Sequence, residues 1–158
     1  MSDVVVGPDG KARCAWAGAD DSLVRYHDKV WGKRIYDESA LFEALTLGVF
    51  QAGLSWEIVF HKRDAFQKAF HGFDVAKVAR MTSRDVGQLV EDASIIRNRA
   101  KIEATVNNAR AMLRVNESGI FLDRLAVVQG TKQGRVRCNC VTSVRDRSIG
   151  WMRWMRGR

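Results

Sequence analysis

Apolar residues recur at helical spacing along most of the chain before residue 125. The strongest stripe spans residues 38–50, and weaker ones follow residues 22–31 and 56–70. Asp74 and Ser83 each precede a further apolar stretch, where their side chains can cap the start of a helix. No strand-like alternation of useful length occurs before residue 125. The pattern therefore predicts an all-α fold.

Two helices joined by a short turn are predicted in the middle of the chain. They cover residues 86–92 and 95–112, with Ala93-Ser94 between them. Backbone N–H groups at the start of the second helix attract anions, so a helix-hairpin-helix at about 86–112 could hold a phosphate backbone. Basic helix faces are also common as plain solvated surface, and this alternative stays open. The basic residues in the first two turns are Arg97, Arg99 and Lys101.

The chain divides into three segments by composition. Residues 1–12 contain a Gly-Pro-Asp-Gly turn and are expected to form a flexible leader, and residues 13–124 form the helical domain. Residues 125–158 lack a helical stripe and are rich in arginine. Of the net charge of +8, most comes from residues 129–158, which hold eight basic side chains and one acidic. The charge is therefore weak evidence that the helical domain itself binds DNA.

Composition limits the cellular location of the protein and the chemistry of its cysteines. No run of about 18 apolar residues could span a membrane, and we expect no signal peptide. A cytoplasmic protein with no membrane contact is therefore predicted. The three cysteines argue against a disulfide framework and favour a metal ligand or a plain thiol.

The most specific motif in the sequence is the segment Gln51-Ala52-Gly53-Leu54-Ser55-Trp56. Together with the Leu-Phe-Glu helix before it and three further ordered blocks, it resembles the type I DNA-3-methyladenine glycosylases over about residues 13–124. The further blocks are Cys14-Ala15-Trp16, the segment Tyr26-His27-Asp28-Lys29-Val30-Trp31-Gly32, and the helical region from Leu89 to Arg110. The resemblance implies a helix-hairpin-helix DNA glycosylase-like domain whose C-terminal part is incomplete or irregular.

The resemblance also implies a reaction and a base-binding site. The family removes 3-methyladenine from double-stranded DNA by hydrolysing the N-glycosidic bond after the base is flipped out. Aromatic faces suit a cationic purine, and the lesion leaves as a neutral base. By resemblance Tyr26 and Trp56 stack on the base, Trp16 and Trp31 line or support the pocket, and Gln51 belongs to the signature. A monomer that needs no organic cofactor is expected. Taken one at a time, these aromatic residues are more often ordinary core or surface residues.

A structural zinc site is a further implication of the resemblance. Cys14 and His27 match two of the family's four ligands, but the other two are absent. Cys138 and Cys140 could substitute for them. The alternative is an unmetallated Cys14 with a hydrogen-bonded His27.

Two features depart from the family pattern. The helix before the signature has Gly48 where the family usually has a glutamate that contacts the base edge. The segment after residue 125 resembles none of the family's C-terminal region, which suggests replacement, for instance by a reading-frame change. A catalytically impaired relative that only binds DNA is therefore an alternative to the enzyme. A nucleic-acid-binding module located in the basic tail is a more distant one.

Overall fold

The computed structural model describes residues 4–18, 20–33 and 35–117. These residues form seven α-helices, two short 3₁₀ turns and one pair of short strands. The predicted all-α fold is confirmed, with the strand pair as its one addition. The elements are β1 (Val4–Val6), β2 (Ala12–Cys14), α1 (Asp21–Lys29), α2 (Glu38–Gln51), α3 (Trp56–Phe60), α4 (Arg63–Ala69), α5 (Val75–Ala79), α6 (Ser83–Glu91) and α7 (Arg99–Glu117).

The N-terminal segment forms an antiparallel hairpin where the sequence led us to expect a flexible leader. β1 pairs with β2, and the predicted turn closes through a hydrogen bond from Gly10 N to Gly7 O of 3.0 Å. Arg13 holds the hairpin in place, because its guanidinium donates to Asp9 in the turn and to Asp28 on α1 at 2.6–3.0 Å. Three residues per strand are too few to give a recognisable alternation, so the pattern could not show them.

The core lies between α2, α4, α5 and α7. Five phenylalanines are at most 1% exposed, and α7 crosses α5, α6 and α2 with Ile102 and Ala109 fully buried. These phenylalanines are Phe42, Phe50, Phe66, Phe70 and Phe73. Rings of this size supply most of the apolar area that a small helical domain can bury. The core therefore fixes α2, whose C-terminal end leads into the signature segment.

Side-chain caps define where several helices begin. Asp74 accepts a hydrogen bond from Lys77 N at 2.9 Å, so the predicted cap of α5 is confirmed. For α6 the cap is Thr82, one residue before the predicted Ser83, and it forms a reciprocal capping box with Asp85. Both residues suit the role, and the box selects Thr82 because Asp85 lies three residues after it.

The helix-hairpin-helix is present with a longer connection than predicted. α7 begins at Arg99, four residues after the predicted start at Ile95. Ile95 is 3% exposed and buries its side chain from a non-helical segment, which explains why it matches the apolar period of the helix. Asn98 precedes the helix, and its side chain accepts from Lys101 N at 3.1 Å. The divergent tail predicted for residues 125–158 lies outside the described residues.

Candidate functional site

Aromatic side chains from three parts of the chain form one connected cluster. Trp16 follows β2, Tyr26 lies on α1 and Trp56 begins α3. The Tyr26 and Trp56 ring centroids are 5.5 Å apart, and Trp16 contacts both rings edge-on at 6.3 and 6.5 Å. Trp31 meets Trp16 at 5.6 Å, and Phe60 meets Tyr26 at 5.1 Å. The structure therefore brings together the four aromatic residues that the sequence predicts for the site.

A tight turn places Trp56 in this cluster. After α2 ends, Gly53 adopts φ +79°, a conformation that favours glycine, and Leu54 N donates to Gln51 O at 2.8 Å. Ser55 then caps α3 through a bond from Ile58 N to its hydroxyl of 3.3 Å. The signature segment is thus the tight turn between α2 and α3, and it places Trp56 as the first residue of α3.

The indole N–H of Trp56 is a buried donor without a hydrogen-bond partner in the described part of the chain. A buried polar group left unpaired costs about 1–3 kcal/mol. A ligand with an acceptor atom beside the ring could recover this cost. The side chain therefore offers both a stacking face and a donor.

A charged pair lies close to Tyr26. Arg63 donates to both carboxylate oxygens of Glu43, and Glu43 is mostly buried. Burial raises the pKa of the Tyr26 phenol, while the charge of Arg63 partly offsets that rise and the charge of Glu43 adds to it. The Glu43 carboxylate also raises the pKa of Arg63. Tyr26 therefore remains a neutral phenol at physiological pH, with an aromatic face able to receive a cation.

Cys14 and His27 are neighbours, but their contacts do not support the predicted zinc site. Cys14 N donates to His27 Nε2 at 3.3 Å, and His27 Nδ1 lies 3.0 Å from Asp28 Oδ1. Among the described residues no three potential ligands cluster around a common point. Cys138 and Cys140 lie outside the described residues.

The three basic residues predicted for DNA contact separate into two groups. Arg97 precedes α7 and Arg99 begins it, and both side chains are exposed. Within the described part of the chain Arg99 makes only an exposed ion pair with Glu103, at 3.7 Å. Lys101 instead turns inward and donates to the carbonyls of Phe50 and Ala52. Its partial burial lowers the pKa of its amino group.

Gly48 and Gln51 both lie on α2 and are exposed. A Cβ atom added at Gly48 would meet no atom within 4 Å beyond its chain neighbours and the backbone of its own helix. The helix therefore has room for a side chain at the position where the family usually carries glutamate.

Some residues of the site were not predicted from the sequence. Phe60 extends the cluster, and its spacing of four residues from Trp56 on α3 could have indicated it. Leu54 and Ile58 are 39% and 49% exposed and flank Trp56 along the chain. The pairing of Glu43 with Arg63 joins two helices, and nothing in the local sequence signals it.

The described residues thus form a helical domain with a helix-hairpin-helix and an aromatic cluster at the signature turn. A sequence model described as methyladenine glycosylase matches residues 16–147 of this chain. The chain belongs to the methyladenine glycosylase family. The match continues past residue 124, where the predicted domain ends; that boundary stays a prediction.

Individual relatives agree with this assignment. The chain is 45% identical over 107 residues to a DNA-3-methyladenine glycosylase from Haemophilus influenzae, covering 68% of this chain and 58% of the relative. It is 47% identical over 107 residues to DNA-3-methyladenine glycosylase 1 from Escherichia coli, covering 68% of this chain and 57% of the relative. The chain thus spans less than three fifths of the length of these relatives.

Solved structures show the same fold. A crystal structure of 3-methyladenine DNA glycosylase I matches with a TM-score of 0.68 and 40% identity, over 72% of this chain and 62% of that one. A structure of the Staphylococcus aureus enzyme, described as the structural basis of 3-methyladenine recognition, matches with a TM-score of 0.67 and 37% identity. It covers 72% of this chain and 60% of that one.

Proposed function

We propose that this protein is a monofunctional DNA glycosylase that hydrolyses the N-glycosidic bond of alkylated purines, chiefly 3-methyladenine, after base flipping. The observation that carries the proposal is the aromatic cluster, in which Trp56 and Tyr26 lie 5.5 Å apart and Trp56 keeps an unpaired buried N–H. Relatives at 45–47% identity carry the name of this activity. The aromatic faces would stack on the base.

The chemistry demands little of the side chains. Alkylation makes the purine cationic, so the bond to the sugar breaks with the electron pair going to the base, which leaves neutral. Water supplies the hydroxyl that joins the sugar and gives up its other proton to solvent, and no electrons are gained or lost, so no organic cofactor is required. The contribution of the protein is extrusion and recognition of the base, with stacking and cation–π attraction strengthened by desolvation.

Duplex DNA would be held by the helix-hairpin-helix. Arg97 and Arg99 are exposed at the start of α7, where backbone N–H groups and the helix dipole favour a phosphate. Two phosphate contacts predict a salt dependence of binding with a slope near −2 on logarithmic axes. A monomer suffices, because the aromatic site is built from one chain. Acting on DNA, the protein would work in the cytoplasm, and the described part of the chain contains no helix able to cross a membrane.

The test is release of free 3-methyladenine from methylated duplex DNA. The wild-type protein should release the base, and Trp56→Ala should slow release about ten- to hundredfold, since stacking of a base on an aromatic ring is worth about 1–3 kcal/mol. Tyr36→Ala is the matched control, because Tyr36 is 77% exposed and its ring meets no other ring among the described residues. Equal rates for the wild type and Trp56→Ala would contradict the proposal.

A second candidate function is favoured by Gly48. Without a carboxylate at this position the protein could bind damaged DNA and fail to release the base. Tight binding of methylated duplex with no free base detected would support this DNA-binding function over the enzyme.

A further inference from the structure

The side chain of Lys101, on α7, is hydrogen-bonded to the C-terminal end of α2. Its Nζ donates to Phe50 O at 2.7 Å and to Ala52 O at 2.6 Å. The last carbonyls of a helix have no partner within the helix and carry the negative end of its dipole. A lysine amino group satisfies two of them at once, and its charge complements the dipole.

These carbonyls belong to the turn that places Trp56. Only three residues separate Ala52 from Trp56, and the conformation between them is fixed by the positive φ of Gly53 and by the cap of Ser55. A movement of Ala52 would therefore be transmitted to the indole ring. Lys101 lies in the first turn of α7, which the Asn98 side chain caps, so its backbone is equally well fixed.

A second lysine holds the other end of α3. Lys62 follows α3 by two residues, and its Nζ donates to Ser94 O in the hairpin connection at 2.7 Å. α3 is thus linked to the helix-hairpin-helix at both ends, before Trp56 through Lys101 and after Phe60 through Lys62. We call these two lysines the clasp.

We propose that Lys101 is a positioning residue that couples the DNA-binding hairpin to the base-binding ring of Trp56. The inference rests on the proposed function. Lys101 acts through the carbonyls of Phe50 and Ala52 and needs no contact with the base or with a phosphate. A hairpin seated on the DNA backbone then places Trp56 at a fixed distance from the duplex, where a flipped base can stack on it.

The first experiment compares single-turnover base release with DNA affinity in Lys101→Met, Lys101→Arg and the control Lys77→Met. Lys77 is exposed on α5, and among the described residues its ion pair is with Asp74, the cap of that helix, so its loss removes the same charge away from α2 and α7. Lys101→Met should lower the release rate about tenfold or more, as expected for the loss of charge-assisted hydrogen bonds. Its affinity for undamaged duplex should match that of the control, and Lys101→Arg should recover part of the rate. A loss of affinity without a loss of rate would overturn the proposal and indicate a phosphate contact.

The second experiment does not depend on activity. Amide hydrogen exchange of the free protein should become about tenfold faster at residues 53–60 in Lys101→Met, with the amides of α5 and of the middle of α7 unchanged. Lys62→Met should show the same local effect and tests the clasp if Lys101→Met does not fold. Unchanged exchange at 53–60, or equal acceleration throughout the chain, would overturn the proposal. If the wild type releases no base, the proposed function fails, while this measurement still decides the role of Lys101.

Discussion

Gly48 is the position at which a single substitution can separate stability from recognition. It lies inside α2 with no positive φ and is exposed, and an added Cβ would meet no atom within 4 Å beyond its chain neighbours and the backbone of its own helix. Glycine in a helix interior costs roughly 0.5–1 kcal/mol relative to alanine, because its unfolded backbone has more freedom to lose. Gly48→Ala should therefore raise the free energy of unfolding by about that amount. For a chain of this length the melting temperature should rise by roughly 1–4 °C.

Gly48→Glu should raise the free energy of unfolding by nearly the same amount as Gly48→Ala, and it also introduces a carboxylate. The family resemblance places a glutamate here, in contact with the edge of the base. A hydrogen bond between a carboxylate and a cationic base is worth about 1.5–3 kcal/mol, so kcat/KM for 3-methyladenine release should rise roughly ten- to hundredfold over the wild type. Gly48→Ala should leave kcat/KM almost unchanged.

The assay compares the wild type, Gly48→Ala and Gly48→Glu by urea unfolding and by single-turnover release from methylated duplex. An equal rise in release for both variants would mean that stability limits the wild type, and the recognition argument would be wrong. Unchanged release in Gly48→Glu would refute the inference that this position faces the base. A destabilised Gly48→Ala would refute the structural reading of open space around the glycine.

Two further predictions concern stability. Arg13 holds the pKa of both Asp9 and Asp28 well below the usual range by hydrogen bonding. Because these pKa values are lowered on folding, the stability they add is present above about pH 4 and is lost as the pH falls below it. Urea midpoints measured from pH 6 to pH 2.5 should show this loss of stability. In Arg13→Leu this part of the pH dependence should be absent. Thr82→Ala should cost about 1 kcal/mol in calorimetry because it removes the α6 cap, whereas an equal cost in Ser83→Ala would show that the cap is misassigned.

Much of the fold could be predicted because an amphipathic helix requires apolar residues at helical spacing, which is visible in the sequence. The stripe at 38–50 became α2, and Asp74 became a cap as expected. The start of α7 was misplaced because Ile95 is buried for reasons of tertiary packing rather than as a helical residue. The N-terminal hairpin was missed because Arg13, not an apolar alternation, holds it.

The site was less predictable, because its side chains contact residues that are distant in the sequence. Aromatic residues could be assigned from their positions in the family pattern, and the structure brings them together. Lys101 could not, because a lysine on a helix surface has the same local sequence whether it faces a phosphate or a carbonyl. Its acceptors lie 49 and 51 residues away, and only the packing of α7 against α2 brings them within 3 Å.

The two sides of the aromatic cluster are held by interactions of different chemistry. Trp16 and Tyr26 adjoin the network around Arg13, which depends on ionised carboxylates. Trp56 adjoins the clasp, in which protonated lysines meet carbonyls that do not titrate. Lowering the pH through 4 should therefore loosen the first side while the second keeps its hydrogen bonds. Amides at residues 12–16 should lose exchange protection in acid before those at 53–60, and simultaneous loss would show that the cluster opens as one unit.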